Sequence, residues 1–132
     1  MAKSFRFELV SPERLLLSEE VEAVVLPGSE GEMTVMADHA PLMSTIKPGI
    51  VTVKPVSGGE QRFVVFGGFV DVLPENCTLL AESAVTAGEF DKADLQRRIE
   101  AARADVENAQ GDEQRTRLET LLFQLAHLED AV

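Results

Sequence analysis

LPGSEGEMTVMADHAPLMSTIKPGIVTV, residues Leu26 to Val53, is the stretch whose reading decides the fold. Pro27-Gly28-Ser29, Gly31, Asp38-His39-Ala40-Pro41 and Lys47-Pro48-Gly49 punctuate it. Between them stand Met33 to Met36, Leu42 to Ile46 and Ile50 to Val53. Proline fixes φ and glycine admits φ > 0, so each break can reverse the chain. Runs of four to six residues rich in Val, Ile, Thr and Met between such breaks read as short strands. The spacing describes a tightly turned β-domain and carries no catalytic signature.

The same alternation extends in both directions. Upstream, Phe5, Phe7 and Leu9 take one face and Lys3, Arg6 and Glu8 the other, the period-2 pattern of a half-buried strand. Ser11-Pro12-Glu13 turns the chain, and Leu15 to Leu17 and Val21 to Leu26 follow, separated by charged Glu19, Glu20 and Glu22. Downstream, Ser57-Gly58-Gly59-Glu60 is a hairpin-type turn before Phe63 to Phe66. Gly67-Gly68 interrupts that run, as a bulge or close backbone approach would. Phe69 to Leu73 leads to the Pro74-Glu75-Asn76 turn, and Cys77 to Ala81 reads as the last strand. Eight to ten such strands predict an antiparallel β-sandwich or flattened barrel over residues 1–86.

From residue 87 the period changes. Asp91 is placed to cap a helix, with Asp94 in its first turn. Leu95, Ile99, Ala102, Val106 and Ala109 recur at helical spacing, and Gly111 is expected to end that helix with Asp112 capping the next. Leu118, Leu121, Leu122, Leu125 and Leu128 form a second stripe. A break of two or three residues makes residues 87–132 an antiparallel hairpin whose seam joins Leu95, Ile99 and Val106 to the leucines. The fold class expected is therefore α+β, a sandwich of about ten strands followed by a two-helix hairpin.

Composition narrows function by exclusion. The chain has 132 residues and a net charge of −11, which argues against nucleic acid and against direct binding to anionic lipid. No run approaches the ~18 consecutive apolar residues of a membrane span. Met1-Ala2-Lys3-Ser4 shows neither an apolar signal core nor an Arg-rich transit segment, so the chain is expected to stay where it is made. A single cysteine, Cys77, rules out an internal disulfide, and with two histidines the chain cannot build an ordinary zinc site; no cofactor or metal is expected. Asp38-His39 has no nucleophile in a recognisable elbow, Glu30 and Glu32 have no aromatic sugar platform, and neither glycine pair forms a phosphate loop. Enzyme readings rest on nothing positive.

Three motifs carry a resemblance to a known family: Gly28-Ser29-Glu30-Gly31-Glu32, His39-Ala40-Pro41-Leu42 followed by Lys47-Pro48-Gly49, and Gly67-Gly68-Phe69-Val70-Asp71-Val72. Their order and spacing resemble the epsilon subunits of bacterial F-type ATP synthases, the family of the mitochondrial delta and chloroplast epsilon subunits. The resemblance runs from Phe5 into the helices. It implies a non-catalytic subunit of the central stalk, peripheral on the cytoplasmic face of the bacterial inner membrane. The sandwich would bind the gamma subunit and the ring of c subunits, coupling ring rotation driven by proton flow to ATP synthesis. The family's ring-facing acid and histidine correspond to Glu32 and His39, with Glu30 and Pro41 as neighbours. In some members the first helix binds ATP through Ile/Leu-Asp-x-x-Arg-Ala. Here the matching stretch is Phe90-Asp91-Lys92-Ala93-Asp94-Leu95, with an acid in place of the arginine and Leu95 in place of the alanine. A negative charge where a cation should neighbour phosphate disfavours ATP. Inhibitory members carry a basic second helix that meets the catalytic beta subunits; residues 112–132 oppose Arg115 and Arg117 to Asp112, Glu113, Glu119, Glu129 and Asp130. The resemblance thus implies weak or absent hairpin inhibition. The alternatives are a nucleotide-sensing inhibitory subunit on the same fold, or an unrelated β-sandwich binding domain.

Overall fold

A computed structural model describes residues 3–132; the reading of Met1 and Ala2 as a leaderless N-terminus lies outside the described residues. The chain divides into two compact units, one ending at Glu89 and the other running from Phe90 to Val132.

The first unit contains β1 (Phe5–Val10), β2 (Leu15–Gly28), β3 (Gly31–Met36), β4 (Leu42–Pro55), β5 (Gln61–Val72), β6 (Asn76–Ala81) and β7 (Ala84–Thr86), then a single 3-10 turn at Ala87–Glu89. Hydrogen-bonded neighbours follow the order β1-β6-β5-β4-β2-β3, and an added β1–β2 pairing closes the first five into a ring. Three expectations are corrected here. There are seven described strands and not about ten. β1 and β6 pair in parallel, so the sandwich is not wholly antiparallel. The last strand is β7, against β5, and not Cys77 to Ala81.

The strand count differs because three of the predicted breaks are bends inside continuous strands. β2 runs through Ser18-Glu19-Glu20, β4 through Lys47-Pro48-Gly49 and β5 through Gly67-Gly68. The physical reason lies in the ladders. Between Val25↔Thr52 and Gly28↔Ile46 the β2–β4 register shifts, so Pro48 falls where β4 carries extra residues and no N–H is missed from that ladder. At the same bend a Cβ on Gly49 would lie 2.6 Å from Pro27 Cβ, so the two strands can approach only at a glycine.

Between the layers lie Phe5, Phe7, Leu9, Val21, Val24, Leu26, Val51, Val53, Phe63, Val65, Val70, Val72 and Leu79, all buried. β1 shows the expected alternation, with Phe5, Phe7 and Leu9 buried and Arg6 exposed. No side chain in the described core is polar or charged.

In the second unit α1 (Lys92–Glu107) and α2 (Asp112–Ala131) pack against each other. Asp91 is the N-cap, its Oδ1 accepting the Ala93 N–H at 2.9 Å. The connection is longer than expected. α1 stops at Glu107 with Asn108 as C-cap, so Ala109 lies outside the helix. Gly111 stands at the N-cap position of α2, with φ +101°, and Asp112 is the first helical residue. Leu95, Ile99, Ala102, Leu125 and Leu128 are buried, while Val106, Leu118 and Leu122 are half-buried. Leu121, expected in the seam, is 37% exposed. Successive helical residues diverge by about 100°, so a narrow two-helix seam cannot centre both Leu121 and Leu122.

Candidate functional site

The loop residues singled out in the sequence fall on two connections. Gly28 and Gly31 close the β2–β3 hairpin, leaving Ser29 and Glu30 as its two-residue tip. Glu30 and Glu32 are both exposed, and neither has an ion-pair partner among the described residues. His39 and Pro41 belong to the β3–β4 connection, Pro41 exposed and His39 half-buried. Neither Glu32 nor His39 lies inside the sandwich.

That second connection is held from three sides. The Asp38 N–H donates to Pro74 O at 3.0 Å, and the His39 N–H to Met36 O at 3.3 Å. The Lys3 ammonium reaches Asp38 Oδ2 at 2.8 Å, and this hydrogen bond raises the lysine's pKa. Asp38 itself adopts φ 65°, a left-handed conformation that Asp tolerates through its short polar side chain. The histidine ring stays local, Nδ1 lying 2.7 Å from Ala40 O.

Glu30 and Glu32 line a shallow cleft of about 540 Å³ formed by Gly28–Met33 on one side and Leu42–Thr45 on the other. Pro41 immediately precedes that second wall, while His39 is not among the lining residues. The structure therefore brings two of the four predicted residues, Glu30 and Glu32, into one cleft, while Pro41 and His39 stand outside its lining on the β3–β4 connection. Leu42 and Met43, at 39% and 68% exposure, make the cleft's rim apolar.

A second surface escaped the sequence reading. The registers align Thr45↔Phe69, Phe69↔Leu80, Leu80↔Val10 and Val10↔Leu15 across four strand pairings. Directly opposed residues share a face. Leu15 (55%), Phe69 (50%) and Leu80 (54%) are exposed and Val10 is half-buried, so one sheet carries an uncovered apolar row on its outer face. The signal was present locally, since Phe69-Val70 and Leu79-Leu80 each place an apolar residue on both faces. Only the register joins them.

In the helical unit, the positions of the degenerate nucleotide motif are occupied by helix-stabilising work. Asp91 is spent on its cap, and Leu95 is buried. Asp94 accepts from Arg98 Nε at 3.0 Å and pairs with Arg97 at 3.5 Å; the Arg98 hydrogen bond holds its carboxyl below the usual range. Phe90 is half-buried. Cys77 is buried, and desolvation pushes its thiol up to about 12. Among the described residues no cluster of acids, histidine and cysteine could hold a metal ion. No helix of the described chain is long and apolar enough to cross a membrane.

Comparison with known proteins agrees with this architecture. Residues 4–87 match the family described as ATP synthase, Delta/Epsilon chain, beta-sandwich domain. The chain is 63% identical over 132 residues to an ATP synthase epsilon chain of Mesorhizobium japonicum, covering 100% of this chain and 98% of that one. An ATP synthase epsilon chain of Rhizobium meliloti is 61% identical with the same coverage. Among solved structures, a chain of the Euglena gracilis mitochondrial ATP synthase OSCP/F1/c-ring assembly superposes with a TM-score of 0.74 at 28% identity, over 97% of this chain and 81% of that one. A chain from the central stalk and c-ring of the Tetrahymena thermophila enzyme superposes at 0.61 with 13% identity, a likeness of fold alone.

Proposed function

The chain belongs to the ATP synthase delta/epsilon family, and on that premise we propose how its surfaces serve the complex. It is a non-catalytic subunit of the central stalk. Our reading is that the apolar row Val10–Leu15–Phe69–Leu80 docks on the gamma subunit, while the exposed β2–β3 tip and β3–β4 connection rest on the c ring through Glu30, Glu32, His39 and Pro41. The sandwich thereby turns with the ring and transmits its rotation. Peripheral attachment at the cytoplasmic face of a bacterial inner membrane follows from contacts with proteins alone, since a chain of net charge −11 is repelled by anionic lipid.

The observation that carries this reading is the division of the sandwich surface. An uncovered row of large apolar side chains is the chemistry of a buried protein interface. The unpaired carboxylates of Glu30, on the two-residue tip, and of Glu32, at the start of β3, are the chemistry of a polar, orientation-setting contact.

The helical hairpin, residues 87–132 in the sequence reading, is the regulatory element of this proposal, and a weak one. Asp91 and Asp94 are already committed within α1, and no cation replaces the arginine of the nucleotide motif. The acidic balance of residues 112–132 opposes docking on acidic segments of the catalytic beta subunits. ATP binding and inhibition of hydrolysis should both be slight.

Add-back to an epsilon-depleted complex tests these points. The chain should co-purify with gamma and the c ring and restore coupled ATP synthesis, and removal of residues 90–132 should change ATP hydrolysis less than twofold. Phe69→Ser with Leu80→Ser should lose gamma while the sandwich still folds, because both side chains are about half exposed on its outer face and neither belongs to the buried core. Strong inhibition relieved by the truncation would overturn the weak-brake reading, and unchanged gamma binding in the double variant would remove the apolar row from the interface.

A further inference from the structure

The cleft beside Glu30 and Glu32 is an open seam of the sandwich. Leu42–Thr45 of β4 pair only with β5, so that wall presents a strand edge without a strand partner among the described residues. At the closed end the Ser29 N–H donates to Thr45 O at 3.2 Å, which shows that the Thr45 carbonyl points into the cleft. Main-chain groups alternate direction along a strand, so the N–H and C=O of Met43 point the same way. The cleft therefore offers main-chain donors and acceptors, an apolar rim at Leu42 and Met43, and two carboxylates without a cation.

We propose that this seam receives an extended loop segment of the ring, held by main-chain hydrogen bonds to the Met43 edge. The segment carries a Lys or Arg that meets Glu30 or Glu32 and an apolar side chain that covers Met43. The inference rests on the reading that the β2–β3 tip faces the ring, and goes beyond it. A tip touching a flat surface needs only exposed acids. An inserted segment uses the backbone of β4 as a docking edge, the mode by which extended peptides add to sheets. Charge complementarity selects the occupant: a segment without a cation would leave both carboxylates desolvated and unpaired. A free edge carrying a charge such as Glu32 also resists pairing with another acidic copy of this chain.

The test separates the two readings by position. Full-length chain in complex with gamma is titrated against c ring purified in detergent, at several salt concentrations. Met43→Pro removes the outward N–H at an edge position, where proline is tolerated. Met43→Ala removes only apolar area, and Glu32→Gln only charge. Insertion predicts that Met43→Pro weakens ring binding about tenfold more than Met43→Ala, and that Glu32→Gln weakens binding and flattens its salt dependence. In the wild-type chain, amide exchange over residues 42–46 should slow about tenfold on assembly, a readout independent of whether the proline variant folds. Equal binding of Met43→Pro and Met43→Ala, with unprotected 42–46 amides, would overturn insertion while an effect of Glu32→Gln left the tip contact standing. No effect of the double variant Glu30→Gln with Glu32→Gln at any salt concentration would sink the tip contact and the insertion together.

Discussion

Gly68→Ala should damage the sandwich more than any other single added methyl group on β5. A Cβ built on Gly68 lies 2.2 Å from Leu80 O and 2.9 Å from Ala81 Cα, both main-chain atoms of β6. No rotamer relieves such a contact, so β6 must retreat by more than about 1 Å, a forced repacking of the kind that costs about 1–3 kcal/mol. Gly68 also sits at φ +146°, and holding a residue with a side chain there costs about 1–3 kcal/mol more. Together these predict a loss of about 4 kcal/mol. At roughly 4–8 °C per kcal/mol for a domain of this size, the melting temperature of the sandwich should fall by about 15–30 °C. Urea unfolding followed by far-ultraviolet circular dichroism measures the free-energy loss, and thermal unfolding the shift in melting temperature. Gly58→Ala is the matched control: its φ is +99°, but nothing lies within 4 Å of its added Cβ. It should lose only the conformational part, about 1–2 kcal/mol. If Gly68→Ala proved no more destabilising than Gly58→Ala, the close approach of β5 and β6 at the bend would not constrain the fold, and the packing argument would fail.

Three further outcomes follow from single residues. Asp91→Ala removes the side-chain acceptor of the Ala93 N–H and should cost the hairpin about 1 kcal/mol, seen as faster amide exchange in the first turn of α1. Asp94 has its folded pKa lowered by Arg98, so its contribution is present above the unfolded value of about 3.9 and is lost as pH falls through the folded one. Hairpin stability should hold down to about pH 4 and decline below it, and in Asp94→Asn the stability lost across that acid range should shrink. Cys77, buried with its thiol near 12, should resist alkylation at pH 8 in the native state and react only as fast as the sandwich opens; rapid modification would contradict its burial.

Local chemistry determined a good deal of this protein. The alternation of Phe5, Phe7 and Leu9 placed β1's inner face, Asp91 was recognisable as a cap, and the leucine spacing announced a helix pair. These are nearest-neighbour effects: the period of the backbone, the hydrogen bonding of a first turn, the turn chemistry of Pro and Gly. The motifs around Glu30, Glu32 and His39 were equally readable, because exposed tips carry their signal in contiguous residues.

What the tertiary structure alone decided depends on register. Pro48-Gly49 and Gly67-Gly68 are the same residues whether a strand ends or bends, and only the shifted ladder of β2 on β4 and the approach of β6 distinguish the cases. The parallel β1–β6 pair joins residues some seventy positions apart, beyond the reach of any local pattern. Phe69, Leu80, Val10 and Leu15 become one surface, and Glu32 and Met43 two walls of one cleft, only when strands distant in sequence are laid side by side. A side chain's face is set by its own strand's two-residue period, whereas its neighbours on that face are set by how strands pair.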